Sequence, residues 1–392
     1  MNIPFHRASI GQPEIDEVVD SLKSGWLTTG PKCKRFEQEF ADYVGARHAV
    51  ALNSATAALH LGLEAVGLQR GDAVLVPTMT FAATAEVVRY FDAEPILVDC
   101  HPDDLNIDVA DARRRAAAAV ARGAHLKAII PVHYGGQIVD MAAVRQLAAD
   151  YQLKIIEDAA HCCPGEYRDH AHAPWQKVGA ESELACYSFY ANKCITTGEG
   201  GMACTDNQEL ADRIRIMSLH GISKDAWKRF TAEGTWRYEI LAPGFKYNLT
   251  DLAAAIGIHQ LRQADSFRER RAEVAAEYHR QLAGLPAVVL PVEDANRRHS
   301  WHLYAIRIDP AHTTVTRDRA IELLKQRNIG TSVHWIPLHM HPYYVRTYGY
   351  APGDFPVAAR IAGEVLSLPI YPDLTVDEIT YVAGALREIL GG

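Results

Sequence analysis

Between positions 48 and 205 the chain repeats one pattern, a short uninterrupted apolar run followed by a stretch of helical periodicity. The runs fall at 48–53, 73–77, 95–100, 128–133, 154–158, 184–190 and 201–205. A strand that alternates apolar and polar residues covers one face of a sheet. One that is apolar throughout has to be buried on both faces, as in a mostly parallel sheet with helices on either side. The pattern therefore predicts a large α/β domain over residues 31–250.

The rest of the chain reads differently. Helices are expected at 13–23 and 32–44, with the loop GWLTTGP (25–31) between them. A continuous helical pattern runs from 250 to about 285, long enough to bridge two domains. After it come an alternating strand at 300–308, a helix at 317–327 and a last helix at 377–390, where Thr375 and Glu378 have the spacing of a capping box. These features predict a smaller α+β domain over 251–392, with residues 1–30 packing beside it.

Charge and composition exclude several functions. Forty basic against forty-eight acidic side chains give a net charge of −8, and the basic clusters at 113–115 and 268–271 sit on helix-like stretches. No basic stripe could follow a nucleic-acid backbone. No apolar stretch reaches the ~18 residues of a membrane span and none has the form of a signal peptide, so a cytoplasmic protein is expected. Seven cysteines at irregular spacing, several within strand-like runs, suit reduced buried thiols. Neither His170 and His172, nor His339 and His341, nor Cys162 and Cys163 have the paired spacing of a structural zinc site, so no metal is expected.

The run CYSFYANKCITTGEGGM (186–202) puts Lys193 after a strand and before a glycine-rich loop. A lysine in surroundings that disfavour its charge becomes a nucleophile able to hold a carbonyl compound as a Schiff base, and pyridoxal 5′-phosphate (PLP) is the cofactor that uses this. PLP also needs a phosphate cradle, an acid for its pyridine nitrogen and a flat group against its ring. The chain supplies a candidate for each at a strand end, where open α/β sheets bind ligands. Ser54-Ala55-Thr56-Ala57 opens a helix whose free N–H groups suit a phosphate. Phe81 follows the second strand, Asp158 ends the run LKIIEDAAH, and Ser188 lies five residues before Lys193. The order and spacing are those of an aspartate aminotransferase-like enzyme of PLP fold type I.

Longer matches support this. SGWLTTGP (24–31), NSATAALHL (53–61), PTMTFAAT (77–84), AIIPVHYGG (128–136), IIEDAAH (155–161), YSFYANKCITTGEGG (187–201), PGFKYNLTD (243–251), TSVHWIPLH (331–339) and LSLPIYPDL (366–374) together resemble the DegT/DnrJ family of PLP-dependent nucleotide-sugar aminotransferases. The resemblance implies that Lys193 binds PLP, Asp158 pairs with its ring nitrogen and Phe81 packs on the ring. It implies that Ala55 and Thr56 give N–H groups, and Ser188 its hydroxyl, to the phosphate, while His161 lies near the ring oxygen. Asn248 is implied to reach the cofactor of the other subunit in a homodimer with shared active sites. Thr28, Thr29 and His334 fall where the family handles the sugar nucleotide.

The implied reaction moves an amino group from L-glutamate to a nucleotide-linked keto sugar. KDAWKR (224–229) and LAPGFKYN (241–248) look most like enzymes that aminate C4 of UDP-linked keto sugars. Relatives with histidine in place of the lysine are sugar dehydratases, and this chain keeps Lys193. A nicotinamide dehydrogenase would need G-x-G-x-x-G after the first strand, where NSATAA stands. A non-catalytic regulator on the same fold is disfavoured by the retention of both Lys193 and Asp158.

Overall fold

The structure is a computed structural model that describes residues 1–223 and 238–391. Its strands are β1 (His48–Leu52), β2 (Asp72–Pro77), β3 (Glu94–Val98), β4 (His125–Ile129), β5 (Lys154–Asp158), β6 (Glu166–Tyr167) and β7 (Gln176–Lys177). They continue with β8 (Leu184–Ser188), β9 (Gly201–Thr205), β10 (Val288–Val289), β11 (Arg297–Arg298), β12 (Tyr304–Ile308) and β13 (Val365–Leu368).

Seven of them form one sheet in the order β1-β9-β8-β5-β4-β2-β3. Within it β9 runs antiparallel to both neighbours, and the strands from β8 to β3 are mutually parallel. The continuous apolar runs have the predicted cause. Along β2, Ala73 and Leu75 enter one hydrophobic cluster while Val74 and Val76 enter the cluster on the opposite face. In β8, Ala185 and Tyr187 likewise face away from Leu184 and Cys186. Both faces are covered, which explains the lack of alternation in the sequence.

A second sheet, β10-β12-β13, is antiparallel, and β6, β7 and β11 make a small ribbon. The burial of β12 alternates as its sequence does, with Tyr304, Ile306 and Ile308 buried in a third cluster. Helices Ala264–Leu282 and Val376–Leu390 complete that cluster, the latter started by the Thr375–Glu378 capping box. Ile3 is buried in the same cluster, its N–H donating to Asn328 O at 2.9 Å and its carbonyl accepting from Gly330 N at 2.8 Å.

The pattern read as one helix over 250–285 is two, Asp251–Arg262 and Ala264–Leu282, meeting at Gln263. Ala254, Ile258 and Leu261 pack into a cluster of the large sheet, whereas Val274, Tyr278 and Leu282 pack into that of the small sheet. Apolar periodicity runs through the joint because each segment has its own buried face. Spacing alone does not register the bend. Among the described residues no helix is long and apolar enough to cross a membrane. All seven cysteines are buried and unpaired, and no cluster of three His, Cys, Asp or Glu side chains suited to a metal occurs among the described residues.

Candidate active site

Strands β5 and β8 run parallel, Asp158 at the end of β5 pairing with Cys186, and β8 runs on two residues to Ser188. Their ends open on a cavity of about 360 Å³ that Ala55, Thr56, Phe81, Asp158, His161, Ser188, Lys193 and His334 all line. Eight residues that the sequence scatters over 280 positions thus meet in one space.

Lys193 sits in the turn that carries β8 back into β9. Phe189, wedged against the rings of Phe36 and Phe40, anchors one end of this loop. Its N–H donates to Gly200 O and its carbonyl accepts from Thr197 N, both at 2.9 Å, which closes the loop. The glycines have separate reasons. Gly198 adopts φ +80°, a conformation that costs glycine nothing. Gly201 lies so near the start of helix Ala55–Ala65 that a Cβ there would come within 2.5 Å of Ala55 N. Gly201 thus lets the strand that follows the lysine loop press on the start of that helix.

At that helix Ser54 is the N-cap, its hydroxyl accepting from Ala57 N at 3.1 Å. The Ala58 N–H goes to the Ser54 carbonyl. Among the described residues no group accepts from the N–H of Ala55 or Thr56, which are left to the cavity, as expected of a first helical turn.

The charges are arranged for proton chemistry. Burial pushes the Lys193 ammonium down to about 8, against the opposing pull of Asp158 and Cys194. Its remaining exposed surface faces the cavity. Burial raises the Asp158 carboxyl, opposed by hydrogen bonds from Thr84 Oγ1 (2.8 Å) and Ala160 N (3.2 Å) and by the charge of Lys193. Two carboxylate oxygens offer about four acceptor positions and the protein fills two, so one charged donor from a ligand fits. The adjacent Glu157 points to the other side of β5, where His133 Nε2 meets its Oε2 at 2.8 Å. Because His133 Nδ1 accepts from Val139 N (3.2 Å), the ring proton lies on Nε2 and is donated to Glu157. Of the two neighbouring acids, one is paired with a buried histidine and the other lines the cavity.

The remaining wall is imidazole and indole. His161 Nδ1 accepts from Gly135 N at 3.2 Å, which leaves the proton on Nε2. Its ring stacks on Trp335 at 5.1 Å and lies 4.3 Å from the His302 ring. Burial holds both histidines well below their usual pKa, so both are neutral. His334 is held at about 4 by burial and the Lys193 charge, with Nδ1 2.8 Å from Ser367 Oγ. Phe81, read from the sequence as a ring cover, is 60% exposed at the cavity wall and does not belong to the core.

Thr28, Thr29 and Asn248 do not line this cavity. Asn248 lines a neighbouring, more apolar groove of about 440 Å³ and donates to Thr29 Oγ1 at 2.7 Å, while Thr28 O accepts from Asp251 N at 3.1 Å. Glu199 lines both spaces. Sequence reasoning missed Thr84, His302 and Trp335. Thr84 and Trp335 lie inside quoted motifs, and His302 sits in SWHLY at the start of the small sheet, but nothing local marks any of them.

A lysine amine of lowered proton affinity, a buried acid with spare acceptor capacity and a free helix N-terminus in one cavity fit what PLP requires. The comparisons with known proteins agree. The profile of the DegT/DnrJ/EryC1/StrS aminotransferase family matches residues 8–387. SpsC of Bacillus subtilis, a spore coat polysaccharide biosynthesis protein, is 44% identical over 391 residues, covering 100% of this chain and 97% of SpsC. Spr1654 of Streptococcus pneumoniae, solved in a PLP form, superposes with a TM-score of 0.89 at 29% identity, covering 100% of this chain and 99% of the other. The sugar aminotransferase CalS13 of Micromonospora echinospora gives 0.84 at 26% identity, covering 98% and 99%.

The chain belongs to the DegT/DnrJ/EryC1/StrS aminotransferase family. It is a sugar aminotransferase with the PLP-dependent aminotransferase fold, and its cofactor is pyridoxal 5′-phosphate.

Proposed function

We propose that this enzyme transfers the amino group of L-glutamate to C4 of a UDP-linked keto sugar, for lipopolysaccharide, surface glycans or glycosides. It works in the cytoplasm as a homodimer with shared active sites. The observation that carries this reading is the meeting of Lys193 and Asp158 in one cavity, with the start of helix Ala55–Ala65 beside them.

When bound, PLP supplies an electron sink for the bonds at the amino acid's Cα. The chain's own groups do the rest. Lys193 would hold the cofactor's carbonyl carbon and, once released, its Nζ would carry the proton from the amino acid's Cα to that carbon, a task suited to an amine of pKa about 8. Asp158 holds the proton on the ring nitrogen. The N–H groups of Ala55 and Thr56 and the hydroxyl of Ser188 hold the phosphate, Phe81 covers the ring, and His161 donates its Nε2 proton to the ring oxygen. Asn248 completes the phosphate site of a second copy, and Thr28, Thr29 and His334 handle the sugar nucleotide. The same reading assigns 31–250 to the PLP-binding domain and 251–392 to the smaller one, with 1–30 packing on the latter.

The surface-glycan role is supported by the likeness to SpsC. The UDP and C4 assignments rest on LAPGFKYN (241–248) and on KDAWKR (224–229), and the latter lies outside the described residues. Two measurements test the whole. Purified enzyme should be yellow and should lose that absorbance on addition of L-glutamate. Among UDP- and dTDP-linked keto sugars, a UDP-4-keto sugar should then restore it. Restoration by a dTDP-linked 3-keto sugar alone would refute the substrate assignment, and a colourless enzyme that ignores added PLP would refute the site.

A further inference from the structure

Thr84 is completely buried, in the first turn of helix Ala82–Arg89, and a buried hydroxyl is costly unless it is used. Its Oγ1 lies 2.8 Å from Asp158 Oδ2 and 2.7 Å from Thr80 Oγ1, itself buried at the end of the β2 loop. The proton directions are fixed by valence. An ionised carboxylate can only accept, so Thr84 spends its single proton on Asp158. Thr80 must then be the donor to Thr84. A helical threonine commonly turns its hydroxyl to the carbonyl one turn back; here the residue one turn back is Thr80, and the contact is to its side chain. Valine would fill the same volume at position 84, so packing does not call for the hydroxyl.

We propose that Thr80 and Thr84 form a directed chain of two hydroxyls that keeps Asp158 ionised and aimed, making Thr84 a positioning residue that sets how tightly a protonated pyridine ring is held. The inference rests on the reading of Asp158 as the partner of the ring nitrogen. Hydrogen bonds in series polarise one another, so the second hydroxyl strengthens the first. The other charged and titratable groups around Asp158 are Lys193 from the β8–β9 loop, His133 beyond β4, Cys186 on β8 and the cavity histidines His161, His302 and His334. None of them donates a hydrogen bond to the carboxylate. Apart from the Ala160 N–H, Thr84 is its only donor among the described residues.

The test is titration of apoenzyme with PLP, across pH, for wild type, Thr84→Val, Thr84→Ser and Asp158→Asn. Loss of a hydrogen bond to a charged group should weaken PLP binding about tenfold to a hundredfold in Thr84→Val. Thr84→Ser, which keeps the hydroxyl, should bind like wild type. Binding is lost as pH falls and Asp158 takes a proton, and in Thr84→Val that loss should begin at higher pH. Wild-type affinity and pH profile in Thr84→Val would overturn the proposal, as would a Thr84→Ser as weak as Thr84→Val. Should Thr84→Val fail to fold, Thr80→Val reads the same chain one link away. A weaker hold on PLP there supports the proposal, and unchanged binding overturns it. Wild-type PLP affinity in Asp158→Asn would instead show that the carboxylate does not face the ring, which removes the underlying reading.

Discussion

Gly201→Ala should damage cofactor binding although residue 201 bears no functional group. A Cβ at this position would lie 2.5 Å from Ala55 N and closer still to the carbonyl of Ser54. Ordinary contact between such atoms begins near ~3.5 Å, so something must give by about 1 Å. The strand cannot retreat, because Gly201 is paired with Leu52 on one side and with Ser188 on the other. The start of helix Ala55–Ala65 must move instead, carrying with it the two N–H groups that the site has free. Overpacking of this kind costs about 1–3 kcal/mol of stability. A displacement of ~1 Å at a binding group can lower a rate by about a hundredfold. Urea unfolding, PLP titration of the apoenzyme and single-turnover amino transfer read the three effects separately. A Gly201→Ala enzyme with unchanged urea midpoint and unchanged PLP affinity would refute the reasoning, since it would mean that β9 and the cradle are not in forced contact.

Other outcomes follow from the same geometry. Lys193→Ala should fold, as its side chain faces a cavity, and should show no turnover with L-glutamate in a coupled assay. In the apoenzyme Lys193 has a pKa of about 8 against 10.5 in the unfolded chain. Between these values the unfolded state binds the extra proton, so this group's contribution to stability rises with pH over that window. Lys193→Met apoenzyme should accordingly exceed wild type in stability below pH 8, and thermal unfolding should find the gap closing by about pH 10.5. His133→Phe removes what is, among the described residues, the only hydrogen-bond donor to Glu157, whose Oε1 already has no partner there. A buried carboxylate left this way should cost about 3 kcal/mol or more in urea unfolding, and Glu157→Leu in the same chain should recover part of it.

The core of the fold was legible because burial on both faces leaves a plain mark, the uninterrupted apolar run, and β5 and β9 fall on the runs at 154–158 and 201–205. The antiparallel direction of β9 left no such mark, because a strand reads the same in either sense. Lys193 and Asp158 stood out because a charged residue at the end of an apolar run is costly without a partner. What the sequence could not display is pairing across distance. Glu157 and Asp158 look alike in the chain, and only the arrival of His133 beside one and of Thr84 and the cavity beside the other separates a histidine-paired acid from one open to a ligand. His302 and Trp335 were invisible for the same reason. They come from the region of the small sheet and meet His161 only when the two parts of the chain close on each other.

The insertion of β9 between β1 and β8 has a consequence for how the molecule comes to exist. The cradle follows β1, near the start of the chain, and Lys193 is carried by the turn that leads into β9; Leu52 meets Gly201 only when that strand docks. Such pairing between distant positions is slow to form, and until it does β1 and β8 each present an unpaired edge that another chain could take. During synthesis the proposed phosphate site therefore emerges well before Lys193, the residue proposed to hold the other end of the cofactor. In the proposed site the two halves hold PLP together, so the cofactor is not expected to start the fold. It should bind and stabilise chains in which β9 has already been placed.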